Sequence, residues 1–295
     1  MPDVTAAAAA AGIDVVSTVD LGGGTYNAAY RLALADGRRL ILKIAPTAPG
    51  LTHEHDLLTT EATFYHLTHG VAPVPSVVHA APEFLLMTEL PGTSWYSLRA
   101  EVTAADHRRL RAELGTIVAR LHTVTGWFFG YPQALPHLTW RAAFTAMMDD
   151  VLSDAVRYNV SLPHSVDLLS SLVRRHGPLL DVVTTPRLVH FDLWDGNILL
   201  DGLRLSGIVD GERAFWGDPL ADFVSLSLFK DLDSDLLDAY RAAGGVAEFD
   251  PARLALYRVY LYLIMLIEAT PRNDFDPDRA HVVTTHLAEA LDLLR

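Results

Sequence analysis

Residues 188–210, LVHFDLWDGNILLDGLRLSGIVD, place polar residues at fixed points between apolar runs. Ile198–Leu200 and Leu203–Val209 read as two strands joined at Asp201-Gly202, a strong tight-turn pair. Folding them back brings Asn197 and Asp210 to one open end, beside His190-Phe191-Asp192. Those residue types suit phosphoryl transfer from a nucleoside triphosphate. A hydroxyl attacking phosphorus needs a carboxylate to orient it and take its proton, the catalytic role expected of Asp192. Magnesium on the triphosphate takes hard oxygen ligands, which the Asn197 amide and the Asp210 carboxylate would supply. Short His-x-Asp strings are common, and an Asp-Gly hairpin also serves as a plain surface turn, so the assignment depends on the rest of the chain.

Lysine usage supplies the next clue. Of 23 basic residues only Lys43 and Lys230 are lysines. A chain that otherwise uses arginine keeps Lys43 inside the apolar run Leu40–Ala45, where an ammonium is costly unless paired. Its site therefore requires it. The order around it is a glycine triplet (Gly22, Gly23, Gly24) with Thr25 between two strands, a turn at Asp36-Gly37, the strand of Lys43, and then a helix carrying an acid. Such glycines let backbone amides approach phosphates closely, and Lys43 would hold the α- and β-phosphates. Glu61 is the expected partner of Lys43. Its rival Glu54 falls near the expected helix start, where the dipole favours an acid in any case.

Composition bounds the remainder. The 295 residues are 50% hydrophobic and 20% charged, which describes a globular chain of one large domain or two modest ones. The absence of cysteine excludes disulfide and thiolate chemistry and fits a cytoplasmic location. No basic region precedes Ala6–Ala11, so a secretory signal is not expected. Leu254–Ile267 contains Arg258, is too short to span a bilayer and reads as a buried helix. A net charge of −13 leaves no basic stripe for nucleic acid; it would suit a cationic substrate, and solubility alone also accounts for it. Neither nucleic acid nor a membrane is an expected partner.

Strands are predicted over Val15–Leu21, Tyr26–Leu34, Arg39–Ala45, Val77–Ala80 and Phe84–Glu89, with one helix over Thr52–His69. Pro91-Gly92 marks a boundary. Beyond it, Thr103 would cap a helix whose Leu110, Leu114, Ile117, Val118 and Leu121 follow the helical period. Further helices are expected near Trp140–Tyr158, Ser165–His176, Pro219–Phe229, Ser234–Ala243, Pro251–Ala269 and Arg279–Leu294.

Together these residues resemble the aminoglycoside phosphotransferase family of small-molecule kinases, relatives of the protein kinases. The resemblance spans nearly the whole chain and rests on Lys43, Glu61, the His190–Asn197 segment and Ile208-Val209-Asp210. Leu121-His122, Phe129-Gly130 and Gly217-Asp218-Pro219 add less specific support. It implies an α+β, protein-kinase-like bilobal fold, with a small β-rich lobe over 1–91 and a larger, mainly helical lobe over 92–295. ATP (GTP not excluded) and Mg²⁺ would occupy the cleft between them. By the same similarity Met87 stands at the back of the adenine pocket, the Thr88 carbonyl and Leu90 amide contact adenine, and Ile41 packs on its face. Thr25 and the adjoining Gly23 and Gly24 would lie near the phosphates. Phe191 stands where protein kinases carry an arginine for a phosphorylated activation loop, and Gly217 comes only seven residues after Asp210, which leaves no long segment for peptide docking. The implied acceptor is a hydroxyl of a small molecule: an aminoglycoside-like antibiotic or amino sugar, or alternatively a macrolide, a peptide antibiotic, choline or homoserine. A nucleotide-binding pseudokinase would have no need to keep every catalytic residue. A metal-dependent hydrolase leaves Lys43 and the glycine loop without a role.

Other groups invite chemistry and have plainer readings. His53-Glu54-His55 resembles a metal site, but residues two apart on a helix do not share a face, so both histidines are expected in solvent. His190 is expected to support the catalytic loop, and Asp195 to bond within it. Trp194 and Trp216 flank the motif and are either pocket walls or core. Asp274, Asp276 and Asp278 read as a solvated loop or as a binder of substrate amines.

Overall fold

In the computed structural model, which describes residues 4–22, 26–246 and 248–295, strand alternation organises the small lobe. β1 (Val15–Asp20), β2 (Ala28–Leu34), β3 (Arg39–Ile44), β4 (Val77–Ala81) and β5 (Phe84–Thr88) form an antiparallel sheet in the order β1-β2-β3-β5-β4. Successive side chains go to opposite faces. Leu32, Leu40, Leu42, Ile44, Phe84 and Leu86 cluster on one face with Ala7 of α1 (Val4–Ala11). The alanine run is thus a helix laid on the sheet, its short side chains allowing close approach. The other face carries Lys43 and Ile41, whose partners across the ladder are Leu85 and Met87. Leu85 and Met87 belong to the main core of the molecule.

α2 (Leu57–Thr68) starts later than the expected Thr52, because tertiary partners take over residues 51–56. The Thr52 amide and hydroxyl donate to Asp154 at 2.6 and 2.8 Å, and Gln133 Nε2 donates to the His53 carbonyl at 2.7 Å. A helix starting at Thr52 would instead turn the His53 carbonyl toward the amide four residues on. The expectation of a solvent-exposed His53 is corrected with it. His53 is buried and stacks on Tyr131 at 5.0 Å, while His55 is exposed.

Beyond Pro91-Gly92 the chain forms β6 (Thr93–Ser94), α3 (Trp95–Leu98), α4 (Ala104–Leu121), α5 (Trp140–Arg157), α6 (Val166–His176), β7 (Arg187–Val189), β8 (Ile198–Asp201), β9 (Arg204–Ile208), β10 (Phe215–Gly217), α7 (Asp222–Leu226), α8 (Ser234–Ala242), α9 (Pro251–Glu268) and α10 (Pro277–Asp292). Thr103 caps α4 as expected, its hydroxyl accepting from the Asp106 amide at 3.2 Å. α9 is the buried helix expected over its apolar run, and among the described residues no helix is long and apolar enough to cross a membrane. A further expectation fails: Pro219–Phe229 is a short 3₁₀ turn followed by the five-residue α7. Left-handed backbone at Phe229 (φ 57°) lies just beyond the helix end.

The hairpin β8–β9 forms one residue later than its Asp-Gly pair suggested. Asp201 pairs with Arg204, and the turn is Gly202-Leu203 with φ of 52° and 60°, the double positive φ that a type I′ turn requires. β6 pairs with β8 immediately after Pro91-Gly92, and Ser206 Oγ donates to the Pro91 carbonyl at 2.7 Å, so this connection rests on the β8–β9 hairpin.

Candidate active site

β3 delivers Lys43 and α2 delivers Glu61. Lys43 Nζ donates to both Glu61 oxygens, at 2.7 and 2.8 Å, and to Asp210 Oδ1, with Glu212 at 3.9 Å. One helical turn beyond Glu61, the Tyr65 hydroxyl donates to Glu61 Oε1 at 2.6 Å and accepts the Asp210 amide hydrogen bond at 3.0 Å. Burial opposes the Lys43 charge, but Asp210, Glu61 and Glu212 hold its ammonium well above the usual range. Burial likewise opposes the Asp210 carboxylate, and Lys43 pulls it below its usual value. Burial and the Asp210 charge push Glu212 up. Oxygens of Glu61, Asp210 and Glu212 lie within 4.8 Å of one another. Such a donor set fits a hard divalent cation. Both Glu61 oxygens already accept from Lys43, which leaves Asp210 and Glu212 as the available carboxylates. Glu212 also accepts from Asn27 Nδ2, two residues beyond Thr25.

The His190–Asn197 loop is anchored from below by Asp222. This fully buried carboxylate accepts from the His190 amide at 3.2 Å and the Phe191 amide at 2.6 Å, and lies 2.8 Å from His122 Nε2. Ser225 Oγ takes the Leu193 amide at 2.8 Å. Phe191 is thereby held in a left-handed conformation, φ 66°. His190 accepts from the Asp192 amide through Nδ1 (3.2 Å) and donates to the Val209 carbonyl through Nε2 (3.0 Å), the neutral imidazole that its lowered pKa requires. It is a support, as expected. Gly196 is demanded locally, because a Cβ there would collide with the Trp194 indole.

Asn197 Nδ2 donates to the Asp192 carbonyl at 2.9 Å and to Asp192 Oδ2 at 3.0 Å. Burial pushes the Asp192 carboxyl up to about 6 despite the nearby Arg213 guanidinium, a value suited to a base working near neutrality. Asp192 opens onto a cavity of about 740 Å³ walled by Tyr96, Trp194, Arg213, Leu261 and Glu268, among others. Arg213 donates to Glu268 at 2.6 Å, and Arg272 pairs with Glu54 and, at 3.2 Å, with Glu268. Glu54 is therefore tied to Arg272 and is no rival for Lys43.

The structure thus brings Asp192, Asn197, Asp210, Lys43 and Glu61 together. Ile41 and Met87 lie on Lys43's face of the sheet. Thr88 binds Ser76 through its amide and its hydroxyl, both at 2.9 Å, and Leu90 packs against Gly207. Gly23, Gly24 and Thr25 lie outside the described residues. Trp194 is a cavity wall while Trp216 is core. Asp276 caps α10 and Asp274 pairs with Arg279 at 2.9 Å, so two of the three loop acids serve the helix start. Sequence reasoning missed Glu212, Arg213, Asp222 and Tyr65. Glu212 and Arg213 stand two and three residues past Asp210, close enough to have been considered with it.

The family described as "Phosphotransferase enzyme family" matches residues 17–257. The chain belongs to this family. It is a small-molecule kinase with the bilobal kinase-like fold. A curated relative from Lactiplantibacillus plantarum, "Probable ketoamine kinase", is 25% identical over 265 residues, covering 86% of this chain and 89% of its own. The solved structure of a "putative fructosamine-3-kinase" from Thermobifida fusca superposes with a TM-score of 0.74 at 24% identity, covering 100% of this chain and 99% of that one. A type I macrolide 2′-phosphotransferase shares the fold at a TM-score of 0.64 and 19% identity, over 97% of each chain.

Proposed function

We propose that this kinase transfers the γ-phosphoryl group of Mg-ATP to a hydroxyl of a ketoamine, the sugar–amine adduct in which a ketose carbon bears an amino substituent. The observation that carries the transfer is the position of Asp192, between the Lys43–Asp210–Glu212 cluster and the 740 Å³ cavity. A ketoamine is favoured over an antibiotic because two curated relatives, from Lactiplantibacillus plantarum and Enterococcus faecium, are both named probable ketoamine kinases and both align with most of the chain.

Asp192 orients the acceptor hydroxyl and takes its proton, held in place by the Asn197 amide. Lys43 stays paired with Glu61 and offers a phosphate oxygen the hydrogen that Asp210 accepts here. Asp210, Glu212 and the Asn197 carbonyl oxygen would hold magnesium, which when bound offsets charge on the transferred phosphoryl oxygens. Met87, Thr88, Leu90 and Ile41 would receive adenine at the edge of the sheet, with Gly23, Gly24 and Thr25 at the phosphates. The lobes divide at 91/92.

ADP release should be measured against fructosyl-amines, aminoglycosides, macrolides, peptide antibiotics, choline and homoserine, with Asp192→Ala alongside. Turnover of fructosyl-amines that the variant loses is the expected result. Turnover confined to an antibiotic would overturn the acceptor class and leave the kinase.

A further inference from the structure

Lys230 and Arg99 line the cavity that holds Asp192, yet phosphoryl transfer uses neither. Lys230 is the only lysine besides Lys43 in a chain of 23 basic residues. It follows Phe229, whose left-handed backbone (φ 57°) is costly for a bulky residue. The Phe229 ring stacks on Tyr262 at 5.9 Å and on His286 at 5.2 Å, which secures that conformation and fixes where Lys230 enters the cavity.

Charge does not balance there. Asp195 receives Lys230 Nζ at 3.3 Å and Arg111 Nη2 at 2.5 Å, so one carboxylate hydrogen-bonds two cations, with Asp233 the next acid acting on Lys230. Arg111 is buried, and its Nη1 has no hydrogen-bond partner. Arg99 lies 4.2 Å over the Tyr96 ring and donates to the Tyr96 carbonyl at 2.6 Å; among the described residues it has no carboxylate within 4 Å. These groups form one patch, since the Tyr96 amide donates to the Asp195 carbonyl at 2.9 Å and the Tyr96 ring lies 5.4 Å from that of Trp194. A surplus of positive charge beside the nucleophile's position is unusual in a chain of net charge −13. Ammonium and guanidinium groups so placed bind a carboxylate through charge-assisted hydrogen bonds and repel a polycation.

We propose that Lys230 and Arg99 form a subsite for an acceptor carboxylate, so that the preferred substrate is the ketoamine of a free amino acid. The inference rests on the ketoamine reading above. Leu228, Leu261 and Met265 in the same cavity suit an aliphatic amino-acid side chain.

The test compares N-fructosyl-leucine with N-fructosyl-leucinamide in the intact enzyme. The acid is expected to be preferred by at least ~10-fold in kcat/KM, mainly through KM. Lys230→Met should collapse the acid-to-amide ratio towards one, and Lys230→Arg should retain part of it. As a second readout, acetic anhydride labelling of Lys230 read by mass spectrometry should be blocked by the acid and not by the amide. Equal use of acid and amide, or a Lys230→Met defect identical for both, would overturn the subsite and leave the ketoamine kinase standing. Turnover of neither compound would remove the ketoamine reading, and this inference with it.

Discussion

Asp192 separates two regions whose charge is unbalanced in opposite senses. On the nucleotide side three carboxylates, Glu61, Asp210 and Glu212, face the single ammonium of Lys43. On the acceptor side Asp195 is outnumbered by Lys230 and Arg111, and Arg99 stands without an acid. Each imbalance suits the ligand proposed for it: a divalent cation carrying phosphates in one region, an anion-bearing acceptor in the other. On the proposed reading, the reaction fixes the first region and the substrate the second.

The largest effect expected from breaking this arrangement is at its boundary. Asp192→Asn should lower kcat by ~10²–10⁴-fold while ATP affinity changes little, as read by steady-state kinetics and nucleotide titration. The same change should raise Tm by ~3 °C at pH 7.5. Burial lifts the Asp192 pKa from 3.8 to about 6, so the stability of its protonated form is full below pH 3.8 and lost as pH rises through 6. Asparagine carries no buried charge to desolvate. A variant that is both active and no more stable would contradict the assigned environment.

On the nucleotide side, Lys43→Met leaves the fully buried Glu61 without its counter-charge and should cost ~3–5 kcal/mol of stability by denaturant unfolding, besides weakening nucleotide binding. Asp222→Ala beneath the loop should come close to it, because two backbone amides and His122 lose their partner, at roughly 1–3 kcal/mol for each buried group left unsatisfied. If Asp222→Ala remained as stable as the parent chain, the loop would not depend on that anchor.

A smaller effect concerns protons. Glu212 is raised by burial and by Asp210, so it holds a proton near neutrality that a metal ligand must give up. Mg-nucleotide binding at pH 7 should therefore release protons, detectable by calorimetry in buffers of different ionisation enthalpy, and Glu212→Gln should abolish the release. The smallest change is a shift of the pH profile. kcat/KM should fall on the acid side with an apparent pKa near 6, where Asp192 becomes protonated. Arg213 pulls that pKa down, so Arg213→Gln should move the acid limb upward. An unmoved limb would assign it to a different group.

The two regions also differ in how far the sequence discloses them. Asp192, Asn197 and Asp210 are legible because they stand in one short stretch and a single hairpin brings them together. Lys43 is legible because an ammonium in an apolar strand is too costly to keep without a paired, functional role. The sheet follows from simple alternation. Tyr65 is hidden, since its ring obeys the apolar period of α2 while its hydroxyl bridges Glu61 and Asp210. Asp222 and His122 lie 100 residues apart and gain meaning only when the loop rests on both. The acceptor cavity is the least legible. Its walls come from α3, the catalytic loop, the segment after β9, the end of α7, α9 and the start of α10, and no local pattern announces such an assembly.

α2 precedes Pro91-Gly92 in the chain and packs on both sides of it, against β4 and β5 and against residues 211–213. Phe64 packs edge-on against His190 at 5.0 Å and would collide with any Cβ at Gly211, while Tyr65 grips the Asp210 amide. Its buried residues join the main core and not the cluster beneath α1. α2 is thus a wedge common to the sheet and the helical body. The Lys43–Glu61 pair, at 2.7 and 2.8 Å, pins that wedge to β3.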